Sequence, residues 1–349
     1  MKIQELYINN FKSLVDFKLV NPNPFSVFVG ANGAGKSNIF EALEFFILSS
    51  TIPYHTLYSL FGGSNDFLNI SLSYENKELI DQNFSILFKK FEHVATSLTN
   101  KFQKNTSKLQ GNENLFEEIG NEYILGECKT VQEQDDLEKT LIQFYHYFSR
   151  IFIKIGKKRL NTEDNTQLSA NADNLEKVLK RILQDQTKRE EILDWLHLFV
   201  PELENIEVHS DNISGTETLL VYEKNTEKPL RKNLISDGTY NILALLTAIY
   251  QSDEPQFLCI EEPENGLNPY VVRQLVSLCR EACEKMGHTI WLNTHSQTLV
   301  SELRPEELIL VDKKNGVTRA KQFSKDKQLF GMQMDEAWLS NALGGGLPW

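Results

Sequence analysis

The 349-residue sequence is poor in cysteine: it holds four, at Cys128, Cys259, Cys279 and Cys283. None forms a CxxC pair, and Cys279 and Cys283 stand one helical turn apart without histidines at zinc-ligand spacing. This pattern speaks against a zinc site and for reduced, mostly buried thiols. Long apolar runs are missing as well, none approaching the ~20 residues that cross a bilayer. The opening MKIQELYINN lacks the apolar stretch and cleavage site of a signal peptide, so a cytoplasmic location with no membrane contact is the expectation. Positive charge is in deficit: 36 Lys and Arg face 48 Asp and Glu, a formal net charge of −12. A surface that coats nucleic acid everywhere is thereby excluded, and any DNA contact must be regional. No repeat recurs at a fixed period, which argues against a solenoid. What the chain does have is 41% apolar residues, enough for a substantial core in one large or two modest domains.

Two apolar, β-rich ends flank a polar middle. Alternation predicts strands at 2–8, 17–20 and 25–29, the last after Pro22 and Pro24, then a helix over about 37–48 and a strand through Ile70, Leu72 and Tyr74. From about 75 to 205 the composition shifts to Lys, Glu, Gln and Asn. Helix-period apolar positions run through FKKFEHVATSLTNKF, LEKTLIQFYHYFSRIFIKI and NLEKVLKRILQDQTKREEILDWLHLFV. The α/β pattern resumes with IEVH, ETLLVYEK, a helix over about 237–250, the strand FLCI (257–260), a helix near 270–286, and the strands HTIWLNT and ELILVDK. The expectation is an α/β head split between 1–75 and 206–325, an inserted helical lobe over 76–205, and a C-terminal tail over 326–349.

The stretch FVGANGAGKSNIFEAL (28–43) carries the first chemistry. Gly30, Ala31, Asn32, Gly33, Ala34, Gly35, Lys36 and Ser37 match GxxxxGK[ST] between a strand and a helix, the context the motif requires, and Asn38 continues the candidate site. Glycines let successive backbone N–H groups turn inward as a nest for phosphate oxygens at the positive end of a helix dipole. Lys36 is expected to reach the β/γ-phosphates of ATP and the Ser37 hydroxyl to ligate Mg²⁺.

A phosphate cradle alone only binds. The strand FLCI ends in Glu261-Glu262-Pro263, two carboxylates at the carboxyl end of a buried strand, where open α/β sheets collect ligands. Glu261 is read as the acid of the Mg²⁺ shell and Glu262 as the group that orients or deprotonates the attacking water. The strand HTIWLNT delivers Thr294, His295 and Ser296, and His295 is read as reaching a γ-phosphate.

The stretch LISDGTYNILALLTAIY (234–250) sets Ser236 and Gly238 at the mouth of a long apolar helix. It resembles the signature motif of ABC-type ATPases, with S-D-G-T where many members have S-G-G-Q. Together with NNFKSL (9–14), the phosphate loop, IEEPENGLNP (260–269) and NTHS (293–296), the chain resembles AAA-type, ABC-class ATPases of the RecF, SMC and OLD group. LSANADNLEKVLKRI narrows the resemblance to small defence-type members. The motifs span roughly 1–75 and 200–325.

That resemblance implies an ABC-type P-loop NTPase head whose active sites are composite. Two heads dimerise head to tail, and the signature helix of one, with Ser236 and Gly238, closes on nucleotide held by the other. Pro263 to Leu267 match the D-loop that touches the opposite subunit, and Lys12 is either a phosphate or adenine-edge contact or a surface lysine. Asp237 and Thr239 depart from the common signature, Asn268 stands where relatives often carry histidine, and no Q-loop glutamine is assignable after the strand near 70. Relatives of the OLD kind carry a Toprim nuclease after the ATPase. Only 26 residues follow Phe323, so a nuclease or toxin effector is expected on a separate chain. Asp135-Asp136 reads as a solvated face rather than a replacement site. Lys89-Lys90, Lys157-Lys158-Arg159 and Lys180-Arg181 would line a DNA groove or form helix solvent sides. Three functional readings stay open: a dimerising, ATP-switched defence ATPase, a low-turnover ATP-bound scaffold, or a RecF-like repair ATPase.

Overall fold

Strands that bury alternate residues and helices that bury one face organise the chain into two units, Lys2–His146 with Arg304–Trp349, and Tyr147–Leu303. The computed structural model describes residues 3, 5–48, 60–61, 82–91, 94–104, 116–125, 146–151, 165–210, 216–329 and 331–345, the three segments within 82–125 by their backbone pairing.

The first unit opens with β1 (Glu5–Asn9), β2 (Phe17–Val20) and the fully buried β3 (Phe25–Val29). The phosphate loop follows, then α1 (Lys36–Leu48). NNFKSL forms the tight β1–β2 connection: Phe11 and Leu14 exchange backbone hydrogen bonds of 3.1 and 2.8 Å, and both side chains are fully buried. Three further strands, β4 (Gln82–Phe91), β5 (Val94–Lys104) and β6 (Phe116–Leu125), extend this sheet in the order β2-β1-β4-β5-β6.

These strands correct the expected helix at FKKFEHVATSLTNKF, and with it the wholly helical character of the insertion. Phe84, Ile86 and Phe88 alternate, as do Val94, Thr96 and Leu98, and β-branched residues favour the extended form. Pairing decides between the two periods, because β4 lies antiparallel on β1 with Glu5 opposite Lys89. The expected strand at Ile70, Leu72 and Tyr74, together with Asp135-Asp136 and Lys157-Lys158-Arg159, falls outside the described residues.

The second unit begins with β7 (Phe148–Ile151), a strand where the sequence pattern suggested helix. It pairs parallel with a buried neighbour, and Phe148 meets Phe257 edge-on at 5.4 Å. α2 (Leu175–Ile182) buries Leu175, Val178, Leu179 and Ile182, one helical face. In α3 (Gln186–Phe199), the N-cap Asp185 accepts from the N–H groups of Thr187 and Lys188, a cap contributing about 1 kcal/mol. β8 (Leu203–Ser210), β9 (Glu217–Glu223) and β10 (Leu230–Arg231) form an antiparallel sheet.

α4 (Asp237–Tyr250) then buries every residue from Ile242 to Tyr250. A helix apolar on all sides belongs inside a core, each large side chain contributing roughly 1.5–3 kcal/mol. β11 (Phe257–Glu261), α5 (Pro269–Lys285), β12 (Thr289–Thr294) and α6 (Gln297–Ser301) complete the unit, with β7, β11 and β12 parallel.

The chain returns to the first unit with β13 (Leu308–Lys314), parallel to β3, and β14 (Val317–Gln322), antiparallel to β13. Part of the expected tail is folded: α7 (Met334–Leu339) buries Met334, Ala337 and Trp338, and Lys321 donates to the Leu343 carbonyl at 2.7 Å. Among the described residues no helix is long and apolar enough to cross a membrane. Cys259 and Cys279 are buried thiols and Cys283 is half-buried. Burial raises the Cys279 thiol far above its ordinary range.

Candidate nucleotide-binding site

In the first unit, β3 delivers the chain into a loop that only glycine can complete. A Cβ at Gly30 would stand 2.0 Å from the Val311 carbonyl oxygen of β13. Gly35 adopts φ +100°, and a Cβ there would stand 2.0 Å from Thr318 Oγ1. Lys36 is buried, and its ammonium donates to the carbonyls of Gly30 and Ala31 at 2.8 and 3.1 Å, folding the loop around its own cation. The Ala34 N–H donates to Ala31 O at 3.2 Å, so Ala31–Ala34 closes as a turn with Asn32 and Gly33 at its tip. Ser37 lies in the first turn of α1, and Asn38 donates through its side chain to Ser13 Oγ at 2.7 Å. Lys12 forms an ion pair with Glu41, which ties the NNFKSL turn to α1.

In the second unit, β11 ends at Glu261, which is buried. Arg150 on β7, also buried, donates Nε–H to Glu261 Oε1 at 2.6 Å, and a second guanidinium N–H reaches the same oxygen. The expected magnesium acid is thus held by a cation that sequence reasoning did not single out. Glu262 sits at φ +47°, a conformation costly for a side chain with Cβ. Its N–H is pinned by Asn293, donating to the carbonyl at 2.9 Å and to Oδ1 at 3.2 Å. Asn265 donates to Glu262 Oε2 at 2.9 Å. Backbone strain held by surrounding bonds is a recurrent property of functional sites.

Glu264 accepts from the Thr294 hydroxyl and, at 3.2 Å, from the His295 N–H, joining the D-loop to the end of β12. Its second carboxylate oxygen is buried without a partner, and burial raises its pKa above the ordinary carboxylate value. His295 is exposed, and Ser296 caps α6.

Ser236 is exposed and caps α4, accepting from Thr239 N–H at 3.1 Å. Gly238 lies so close to the D-loop that a Cβ would stand 2.4 Å from Gly266 O, and Asn241 donates to Asn265 O at 2.7 Å. The stretches expected as signature and D-loop therefore share one exposed patch. Asn268, in place of histidine, caps α5 by accepting from Val271 N–H at 3.0 Å. LSANADN packs beside α4 through a 2.9 Å hydrogen bond from the Tyr240 hydroxyl to Ala172 O. Of the basic clusters, Lys180 is engaged with Ser210 and Glu217, and Arg181 donates to the carbonyls of Asn165, Thr166 and Gln251.

The structure thus gathers the loop residues with Ser13, Asn38 and Thr318 in one unit. In the other it gathers Glu261 and Glu262, His295, and Ser236 and Gly238 around the D-loop. Residues 25–301 match the family described as "AAA domain, putative AbiEii toxin, Type IV TA system". The chain belongs to this AAA family. A protein named ATP/GTP phosphatase from Helicobacter pylori is 19% identical over 367 residues, spanning 97% of this chain and 94% of its own length. An uncharacterized protein of Methanocaldococcus jannaschii is 29% identical over 171 residues, 44% of this chain and 48% of its own. Among solved structures, an SMC head bound to the C-winged helix domain of ScpA aligns with a TM-score of 0.63 at 15% identity, over 93% of this chain and 98% of that one. An Smc head with an extended coiled coil, bound to the C-terminal domain of ScpA derived from Pyrococcus furiosus, aligns at 0.56 and 14% identity, over 93% and 97%. The fold of this AAA-family protein is that of an ABC-type P-loop NTPase head, like that of the solved SMC heads.

Proposed function

We propose that this AAA-family ATPase binds ATP with Mg²⁺ on the Gly30–Asn38 loop, dimerises head to tail, and hydrolyses ATP as a switch controlling a separate effector. The observation that carries the reading is the loop itself. Two crowded glycines and a buried Lys36 folded onto the loop's carbonyls make a backbone cradle suited to a triphosphate. Among the described residues no three Asp, Glu, His or Cys side chains cluster as a cation cage. That fits a Mg²⁺ bound chiefly through phosphates, with Ser37 and the single acid Glu261 contributing, and the cation would neutralise phosphate charge. Glu262 is assigned the attacking water and His295 the γ-phosphate.

Ser236, at the exposed mouth of α4, offers a hydroxyl and a helix N-terminus to nucleotide on a second copy. Leu234, 64% exposed, and Tyr270, 53% exposed, flank the signature and D-loop and supply apolar anchors for that copy. Solved SMC heads carry ScpA domains, and the matched family is described by a toxin–antitoxin system. Both support a separate effector in a defence setting. DNA binding by the insertion would rest on Lys89, Lys90 and Lys157–Arg159, since Lys180 and Arg181 are engaged elsewhere.

Glu262→Gln tests the reading: hydrolysis is lost while ATP and Mg²⁺ hold the protein at dimer mass, and Lys36→Ala binds no ATP. A second reading, ATP as structural glue, draws support from the Arg150–Glu261 pair, which already engages the expected magnesium acid. It predicts negligible wild-type turnover and assembly unchanged by Glu262→Gln.

A further inference from the structure

Three segments remote in sequence meet beneath the phosphate loop. The Thr318 side chain of β14 is buried, and its hydroxyl donates to Ala34 O at 2.8 Å. Ser13 Oγ lies 2.6 Å from Thr318 Oγ1, and the Asn38 amide donates to Ser13 Oγ at 2.7 Å. The Thr318 N–H also donates to Ser13 O at 2.7 Å, which locks β14 to the NNFKSL turn.

Proton counting gives this chain a direction. A carbonyl only accepts, so the single Thr318 hydroxyl proton goes to Ala34 O. Thr318 Oγ1 must then accept from Ser13, whose oxygen in turn accepts from Asn38. The order is amide to Ser13 to Thr318 to carbonyl, and bonds aligned in this way strengthen one another. Ala34 O belongs to the same planar peptide as the Gly35 N–H, and in a trans peptide the two point to opposite edges. Holding the carbonyl therefore fixes where the Gly35 N–H points, at a glycine that stands at φ +100° and whose missing Cβ leaves the backbone free to take other conformations.

Resting on the nucleotide-binding reading above, we infer that Thr318, Ser13 and Asn38 are positioning residues that orient the Ala34–Gly35 peptide so that its N–H receives phosphate. Asn38 then acts through Ser13 rather than on the nucleotide. NNFKSL gains a physical role as the middle of the relay. None of the three side chains titrates near neutrality, so the device works independently of pH.

The test measures the Kd of an N-methylanthraniloyl ATP with Mg²⁺ alongside steady-state ATP hydrolysis. Thr318→Val keeps the shape and removes the hydroxyl. Kd and KM are expected to rise about tenfold, equivalent to ~1.4 kcal/mol, with kcat changed less than about threefold. Thr318→Ser restores both to within about twofold. Ser13→Ala matches Thr318→Val, and the double variant adds little, as members of one relay must. A Thr318→Val Kd within about twofold of wild type overturns the inference, as does a Thr318→Ser variant as impaired as the valine, which would assign the effect to packing. Where Thr318→Val does not fold, the Kd of Ser13→Ala decides, and an unchanged value overturns the inference. Wild-type protein that binds no nucleotide defeats the parent reading before any variant is made, and the inference falls with it.

Discussion

Arg150→Met is the perturbation with the largest expected effect on the second unit. The Arg150 and Glu261 side chains are 3% and 5% exposed, so water screens their attraction poorly. Removing one member of such a pair leaves a buried charge without its counter-ion and costs about 3–5 kcal/mol. Domains are stable by about 5–15 kcal/mol in total, so this is a large fraction. With a urea dependence of about 1–3 kcal/mol per molar, the unfolding midpoint falls by at least about 1 M. Intrinsic fluorescence follows the transition, since Trp195 and Trp291 both belong to this unit. A cycle with Glu261→Gln isolates the coupling, and the double variant should lose about 2 kcal/mol less than the two single losses added together. A midpoint shift under about 0.3 M, or additivity within about 0.5 kcal/mol, would refute the reasoning.

Gly35→Ala forces a methyl toward Thr318 Oγ1 at φ +100°. It should abolish nucleotide binding and cost about 1–3 kcal/mol, read as a drop in melting temperature. His288 is buried, its Nδ1 accepting from Gln256 N–H at 3.1 Å while Nε2 faces Ile249 O at 3.0 Å. Burial lowers its pKa below the ordinary 6.5, so the native state binds fewer protons than the unfolded chain and stability falls as pH drops through about 6.5. Denaturation from pH 8 to 5 checks this, and a flat profile contradicts it. Glu264 has the opposite sign: its raised pKa means the native state binds more protons, so its contribution to stability weakens as pH rises above about 4.5. Glu264→Gln keeps an acceptor for Thr294 and His295 without the charge, and should raise the melting temperature at pH 8 more than at pH 4.5.

What the sequence disclosed depended on how local each signal was. The helix over 237–250 was legible to the residue because a serine cap precedes a continuous apolar run, and β11 was equally plain as an apolar run ending in acids. The 88–102 stretch was not, because Phe88, Phe91, Leu98 and Phe102 fit a helical period while Val94, Thr96 and Leu98 fit a strand. A partner strand outside the segment made the choice. Arg150 gave no hint, since its partner lies 111 residues away across a parallel ladder. The Ser13–Thr318 contact, 305 residues apart, is equally invisible to spacing. The folded part of the tail escaped because α7 is short, and the burial of Trp338 shows only in three dimensions.

Gly238 rests against Gly266 with no room for a methyl group between them, and Asn241 grips the neighbouring Asn265 carbonyl. Such contact leaves no slack. On the proposed head-to-tail pairing, a shift at the Asn265–Gly266 tip would press on the helix that carries Ser236, so the element facing a companion and the element offered to that companion's nucleotide would move within one copy as a single lever. In the proposed twofold pair each lever would serve the opposite pocket, and the two pockets would then be unable to act out of step.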